Sequence, residues 1–473
     1  MEKISQYLDD QGRVKIWPSK QAKKKAVLRY LSSKFDFDKD YSEKKVNELI
    51  VQWHTFGDYF LLRRGLIELR LLQRTKNGAE YWRIKEGFES PAIKRLHKSL
   101  EDDKDKAVDE FWKMAEKHKG HFIDPIEYDE NYCILTMVFR GDDSVKTVSI
   151  FGELFGQDTE ENLFSQIEGT DVFYKSYVVA RNTRSLYVYL VNEDPEAEWE
   201  DVDVRLDPLM DHTVTCTDDE LFPEEFAVLF KQESMLELPE FKLPSEATRS
   251  THSFSVKEKA LSHPLLQGDR RMWYCEPLAG PSDKLLVFLD GYEYFYETKA
   301  LNIIDSLVKN NEIPSVNVLF IDNRKDRMTN LIFDKDFMAA VTDELAKYDP
   351  AHVVLVGFSL GGLMASFMAL ENPETFKYVL AQSSAYYWEP GENVDKQSQL
   401  VKRFRNEPLE GVDFHISIGR LESKIADHHQ ANLEMVQVLK NKDIPVCFEE
   451  HVGGHTFFDA ALSLGNGLKY LLK

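Results

Sequence analysis

Ser359 is the residue with the most chemistry around it. It stands in Gly357-Phe358-Ser359-Leu360-Gly361, after the apolar run Val353 to Val356 and before the helix-forming run Leu363 to Leu370. A serine at the apex of strand, sharp turn and helix is a nucleophile elbow, strained so that its hydroxyl points away from the sheet. The flanking glycines let the turn close and the helix pack tightly against the strand. The next amide, that of Leu360, falls at a helix N-terminus, where it can donate to an oxyanion. The chemistry this suits is acyl transfer through a serine ester.

Such a serine needs a base, and the base needs an acid to fix its tautomer. Five histidines follow Ser359 in the chain: His415, His428, His429, His451 and His455. His415 lies in an apolar strand and reads as packed. His428 and His429 are adjacent on a helix and read as a solvated face. His455 follows Gly453-Gly454 in the loop between the last strand and the C-terminal helix, from which an imidazole can reach back to the elbow. His455 is therefore the expected base, with His451, near a strand end, as the alternative. The acid should follow the strand that ends at Gly419. Glu422 is the first carboxylate of that loop and the expected acid; Asp427 is the alternative, and Glu449 and Glu450 read as strand charges.

These residues need a scaffold, and the C-terminal part supplies an alternation of strands and helices. Buried strands are expected at Lys284 to Gly291, Ser315 to Asp322, Val353 to Gly357, Lys377 to Ser384, Asp413 to Gly419 and Val446 to Val452, with helices such as Phe333 to Tyr348 and Ile425 to Asn441 between them. That pattern predicts an α/β fold with a doubly wound, mostly parallel sheet over residues 253–473, an α/β-hydrolase domain. Ligands bind at the carboxyl ends of such strands, where the candidate residues fall.

Upstream the texture changes. Residues 121–216 alternate polar and apolar residues in short runs, as in Cys133 to Arg140 and Ser185 to Val191, the pattern of an antiparallel β-sandwich. A linker rich in Glu, Pro and Ser (roughly Thr217 to His252) comes after it, and a charged helical linker (88–120) precedes it. Residues 1–87 read as three helices and a hairpin turning at Asn77-Gly78, a small α+β, winged-helix-like module. Residues 1–86 hold 19 Lys+Arg and 12 Asp+Glu, a net of +7 against −29 for the remainder. Such a contrast marks a separate module. Lys23, Lys24, Lys25, Arg63, Arg64 and Arg70 are its candidate nucleic-acid contacts; a solvated basic face is the plainer reading.

Composition bounds the rest. At 473 residues two or three domains are expected, and 43% hydrophobic content is ample for their cores. The formal charge of −22 argues against the whole chain binding nucleic acid or an anionic membrane. No apolar run reaches the length of a membrane span, and the first twenty residues lack the apolar core of a signal peptide. Cys133, Cys216, Cys275 and Cys447 are scattered, as reduced thiols of a cytoplasmic protein would be.

The C-terminal half resembles the enterochelin (ferric-siderophore) esterases, within a broader group of esterases of this fold. The resemblance is carried in order by LLVFLDGYEYF, VGFSLGGLMA, LAQSSAYYW, ISIGRLESKIADHHQAN and HVGGHTFFDAALSLGNGLKYL. IEGTDVFYKSYVV and RLDPLMDHT resemble the N-terminal sandwich of those esterases, so the likeness spans roughly residues 108–473. The first hundred residues resemble instead a short bacterial family of unknown function. The resemblance implies hydrolysis of an ester or lactone of a catecholate siderophore for intracellular iron release, with Ser359 acylated and Tyr292 offering a second oxyanion amide beside Leu360. It implies no metal or organic cofactor; iron would arrive with the substrate. An Arg-x-x-Glu-Leu segment near the substrate in that family corresponds to Arg327-Met328-Thr329-Asn330-Leu331, with Asn330 in place of the Glu. Arg327, Tyr292 and Trp388 would suit an anionic, flat-faced ligand, although Arg327 has an ordinary alternative as an ion pair with Asp322 or Asp326. The group also holds acyltransferases and other carboxylesterases. A ligand-sensing regulator with a DNA-binding N-terminal module is the reading from a different class.

Overall fold

In a computed structural model of the chain, residues 4–473 are described apart from 86, 157, 194–201, 216–231, 249–252, 349–350, 389–397 and 425–426. Contacts divide the chain into two units. The first takes in Met1–Val145, Phe164–Arg181 and Asp207–Asp211; the second takes in Lys146–Leu163, Asn182–Leu206 and His212–Lys473.

In the first unit, helices Gln21–Ser32, Glu43–Gln52 and Tyr59–Glu68 start where their sequences allow. Ser42 accepts from Lys45 N and Asp58 from Leu61 N, satisfying amides that the helices cannot. Leu72–Arg74 and Glu80–Arg83 form an antiparallel hairpin, to which Tyr41–Ser42 adds a third strand. Three helices and a small sheet are the winged-helix-like pattern. The hairpin turns over a longer loop than a two-residue Asn-Gly turn, because Thr75 N still donates to Glu80 O. Helices Pro91–Leu100 and Lys104–Lys117 come next, and then an antiparallel sheet in the order His121–Ile126, Asp129–Arg140, Val172–Ala180, Ser165–Gln166. The Arg83 guanidinium lies 2.6 Å from Asp129, with 4% and 1% of the two side chains exposed.

The second unit opens with an antiparallel sheet in which Arg184–Val191 is central. Val148–Gly152 pairs with it on one side, and Asp203–Arg205 and Gln232–Glu237 on the other; Thr213–Thr215 pairs with Gln232–Glu237. Thus part of the segment expected to be a linker is a strand: Glu233 to Leu236 are buried.

The remainder is an eight-stranded sheet. Its strands are β1 (Phe254–Leu261), β2 (Arg270–Pro277), β3 (Lys284–Phe288), β4 (Asn317–Ile321), β5 (His352–Phe358), β6 (Tyr378–Gln382), β7 (Asp413–Gly419) and β8 (Val446–His451). They lie in the order β1-β2-β4-β3-β5-β6-β7-β8, parallel from β4 onward. Helices cover both faces: α1 (Gly291–Tyr296), α2 (Ala300–Lys309), α3 (Lys335–Ala346), α4 (Leu360–Glu371), α5 (Gln399–Asn406), α6 (His428–Asn441) and α7 (Phe457–Leu471). One apolar core holds α3, α4, α5 and α6; the other holds α2 and α7. The inner strands are buried on both faces, as parallel strands between helix layers must be. This is the mostly parallel α/β sheet that the sequence predicts. The pairs Phe358↔Gln382, Gln382↔Ser417 and Gly419↔His451 bring the carboxyl ends of β5 to β8 side by side.

Candidate active site

β5 delivers Ser359 to the N-cap of α4 with φ 55° and ψ −116°. That conformation costs a non-glycine residue about 1–3 kcal/mol. The turn has room only for glycine beside it. A Cβ on Gly357 would lie 2.1 Å from the Gly361 carbonyl carbon, and one on Gly361 would lie 2.0 Å from Asp290 Oδ2. Backbone holds the strain from one side: Ser359 N donates to Gln382 O at 3.1 Å, and Ala385 N donates to Ser359 O at 3.0 Å. Asp290 holds it from the other, accepting from Phe358 N at 3.4 Å and from Arg327 Nε at 2.8 Å.

Ser359 Oγ lies 3.1 Å from His455 Nε2, and His455 Nδ1 lies 2.9 Å from Glu422 Oε2. Side chains from the ends of β5, β7 and β8 thus form one hydrogen-bonded chain. Glu422 is fully buried. Its Oε1 accepts from Gly419 N and from Ser383 Oγ, both at 2.6 Å. Burial pushes the Glu422 carboxyl up, but the hydrogen bonds from His428 and His455 outweigh it and hold the group far below the usual carboxylate range. Burial pushes His455 down, against the pull of Glu422, and the positive sides of His428 and Arg327 add to the fall. A neutral imidazole with Nδ1–H on Glu422 leaves Nε2 free to take the serine proton.

The other carboxylates and histidines are placed elsewhere. His451 accepts from Gly453 N at 3.2 Å and shapes the turn before His455. His415 is buried, and that burial pushes its pKa down to about 4. Asp427 is exposed at the start of α6. Glu450 takes His429 at 3.0 Å, and Glu449 accepts from Asn466 at 2.8 Å. The expected solvated face of His428 and His429 is half wrong. His428 is 1% exposed, and its Nε2 reaches Glu422 Oε2 at 2.8 Å. Adjacent helix residues point about 100° apart, so one ring faces the relay and the other the surface.

The two amides expected to face an oxyanion lie in the first turns of two helices. Leu360 is the first residue of α4 and Tyr292 the second of α1, among the positions whose amides have no acceptor within their own helix. The Tyr292 ring is occupied separately, with the Arg324 guanidinium 3.5 Å from its centroid. Arg327 differs from expectation in its partner. Asp322 takes Arg324 at 2.8 Å and Arg271 at 3.2 Å, Asp326 takes Arg270 at 2.6 Å, and Arg327 takes Asp290. Only 14% of the Arg327 side chain is exposed. Asn330 is buried against Asn323 and Arg270. Trp388 is half-buried against the core, and its Nε1 has no hydrogen-bond partner among the described residues.

Two supports carry no signal in the sequence. Gln382 accepts from Tyr294 Oη at 2.7 Å and donates to Ala460 O and Ser463 Oγ, tying β6 to α7 beneath the elbow. Behind His455, Asp459 takes Arg184 at 2.6 Å and Gly454 N at 2.8 Å. Glu153 lies against Gly454, where a Cβ would be 2.7 Å from its Oε2. Burial and the charges of Asp459 and Glu233 push the Glu153 carboxyl well above its usual range.

Glu422, His428 and His455 present one donor atom each within 4.8 Å of one another. Protons already account for that spacing: each imidazole donates one to the carboxylate. Cys133 and Cys275 are buried and Cys447 half-buried; Cys216 lies outside the described residues. Of the N-terminal cations, Arg63 pairs with Glu43 at 2.6 Å and Arg64 with Glu68 at 2.6 Å, which reduces the charge available to a polyanion. Among the described residues no helix is long and apolar enough to cross a membrane.

Comparison with known proteins gives two family matches. Residues 279–460 match the family described as "Putative esterase", and residues 13–83 match the family "Uncharacterized protein conserved in bacteria (DUF2087)". The chain is 26% identical over 238 residues to the iron(III) enterobactin esterase of Escherichia coli K12, covering 47% of this chain and 58% of that one. It is 28% identical over 210 residues to the iron(III) salmochelin esterase of Escherichia coli O6:H1, covering 39% and 50%. The chain thus spans about half the length of the curated relatives it matches. The crystal structure of a ferric enterobactin esterase from Salmonella typhimurium superposes with a TM-score of 0.61 at 20% identity, covering 76% of this chain and 98% of that one, which shows a shared fold. Residues 279–460 thus match the "Putative esterase" family, and the chain is similar to the iron(III) enterobactin esterases, with an N-terminal segment that matches a different family.

Proposed function

We propose that the protein is a serine ester hydrolase acting on an ester or lactone of a catecholate siderophore, with Ser359 as nucleophile, His455 as base and Glu422 as the orienting acid. The observation that supports the chemistry is the hydrogen-bonded chain Ser359–His455–Glu422 ending on a strained elbow serine. His455 Nε2 takes the Ser359 proton as Oγ adds to the ester carbonyl. The oxyanion forms at the first turns of α4 and α1, where the Leu360 and Tyr292 amides donate to it. His455 then protonates the leaving alcohol, and water, activated by the same imidazole, releases the acid and restores Ser359.

The substrate class rests on the relatives, which are named for iron(III) enterobactin and iron(III) salmochelin. A cytoplasmic location and iron release inside the cell go with that reading. One observation favours a broader carboxylesterase or acyltransferase: Arg327, the cation expected at a catecholate, is committed to Asp290. A product assay by mass spectrometry, with apo and ferric catecholate siderophores beside a neutral ester, separates the two. Release of the siderophore's acyl-serine units by wild type but not by Ser359→Ala supports the siderophore reading. Turnover of the neutral ester alone supports the broader one. A protein inactive on every ester would return the hydrolase domain to a ligand-sensing role.

A further inference from the structure

Glu422 is held by more than its role toward His455 requires. His428 Nε2, at the start of α6, lies 2.8 Å from Glu422 Oε2 and 3.0 Å from the Ser383 carbonyl oxygen. A carbonyl oxygen only accepts, so Nε2 carries the proton and shares it between the two oxygens. Ser383 is itself in the left-handed region, φ 46°, an uncommon conformation outside glycine that surrounding contacts must sustain. In it one residue offers its carbonyl to His428 and its hydroxyl to Glu422 Oε1. The His428 ring stands edge-on to His455, with centroids 4.5 Å apart and planes at 81°, and also to Tyr387, with centroids 5.2 Å apart.

We propose, resting on the ester-hydrolase reading, that His428 is a positioning residue of the relay: its Nε2 proton fixes Glu422 and limits how strongly that carboxylate draws on His455. Two imidazole N–H groups converge on one oxygen, Oε2. Each donor stabilises the carboxylate and leaves less of its electron density for the other. With His428 in place, His455 meets a calmer carboxylate and keeps a lower proton affinity, so more of it is in the basic form at a given pH. The other groups around His455 are Arg327 with its partner Asp290, Tyr387, and, behind the loop, His451, Asp459 and Glu153. Among the described residues none of these groups is hydrogen-bonded to Glu422, as His428 is.

The test compares His428→Leu with His428→Gln in the full chain. Leucine fills the space without a donor; the glutamine amide can place an N–H near the position of Nε2. The readouts are kcat, KM and the pH dependence of kcat/KM on p-nitrophenyl acetate, and the titration midpoint of the His455 imidazole by NMR without substrate. His428→Leu is expected to lower kcat about tenfold and leave KM within about twofold. It should also move both the acidic limb and the NMR midpoint upward by roughly half a pH unit or more. His428→Gln should restore both. An unmoved midpoint in His428→Leu overturns the proposal, as does equal damage in the two variants, which would make the residue structural. A wild type without Ser359-dependent hydrolysis would defeat the hydrolase reading instead, and the NMR midpoint would still decide the role of His428.

Discussion

Glu422→Gln is the most demanding perturbation of this site, because the four hydrogen bonds to Glu422 leave an amide no good orientation. As a carboxylate, Glu422 accepts at Oε1 from Gly419 N and Ser383 Oγ, and at Oε2 from His455 Nδ1 and His428 Nε2. An amide has one accepting oxygen and one donating nitrogen. With nitrogen at Oε1 it would face the Gly419 N–H, a donor that cannot be reversed. The oxygen therefore stays there, and the NH2 turns toward His455. The imidazole answers by moving its proton from Nδ1 to Nε2, and Nε2–H cannot take the proton of Ser359. A wrong tautomer of this kind costs about 10³- to 10⁴-fold in kcat, or roughly 4–5.5 kcal/mol of barrier. The assay is kcat on a nitrophenyl ester at saturating substrate, with circular dichroism to check the fold. Retention of more than about a tenth of wild-type kcat would refute the tautomer argument. A silent Glu422→Gln beside a severe Asp427→Asn would refute the choice of acid. Stability adds an independent check. The folded pKa of Glu422 lies below the ordinary value of 4.5. Its contribution is therefore present above that value and is lost as pH falls below it. Wild type should lose Tm on acidification more steeply than Glu422→Gln does.

Ser359→Ala and His455→Ala should each lower kcat by about 10⁴-fold or more, and the double mutant should be little worse, since members of one relay do not act additively. Arg327→Ala removes the partner of a buried Asp290 beneath the elbow, so it should lower stability by about 3–5 kcal/mol and reduce kcat/KM equally on a neutral ester and a ferric catecholate; a KM effect confined to the anionic substrate would place the guanidinium in the pocket. Glu153→Gln should raise Tm on the alkaline side: the folded pKa is raised, so stability is full below about 4.5 and declines as pH rises toward the folded value, and the amide removes that decline. Arg83→Met leaves Asp129 buried without its cation and should cost about 3–5 kcal/mol by chemical denaturation, whereas a value under about 1 kcal/mol would mean that the pair is dispensable.

The sequence made the fold of the C-terminal part legible because two periodicities coincide there. Runs such as Val353 to Val356 are apolar on every residue, as a strand covered on both faces must be, and each is followed by a helix-length segment. The elbow was legible for a steric reason: only glycine fits at 357 and 361. Glu422 and His455 could be singled out because each follows a strand of the sheet in the chain order serine, acid, histidine. His428 was not legible. Its neighbour His429 has the same type and the same helix, and only the rotation of α6 against β7 decides which of the two is buried. Ser383 and Gln382 escaped for a related reason, since a polar residue at a strand end reads as a terminator until its partners on other elements are known.

Charge counting had a sharper limit. A net of +7 over residues 1–86 reads as a surface available to a polyanion, but a sum over side chains ignores where each one ends. Arg63 and Arg64 end on Glu43 and Glu68. Arg83 ends on Asp129, in a pair almost wholly withdrawn from water, with its guanidinium 3.8 Å from the Phe37 ring centroid. Burying that cation is tolerable only because its partner comes from the neighbouring antiparallel sheet of the same unit, beyond the range of any local pattern. The same residue that adds to the basic count of the N-terminal module therefore ties that module to the sheet built on Asp129–Arg140. The sequence-level contrast in charge marks a change of composition at residue 86, while the first unit continues through it.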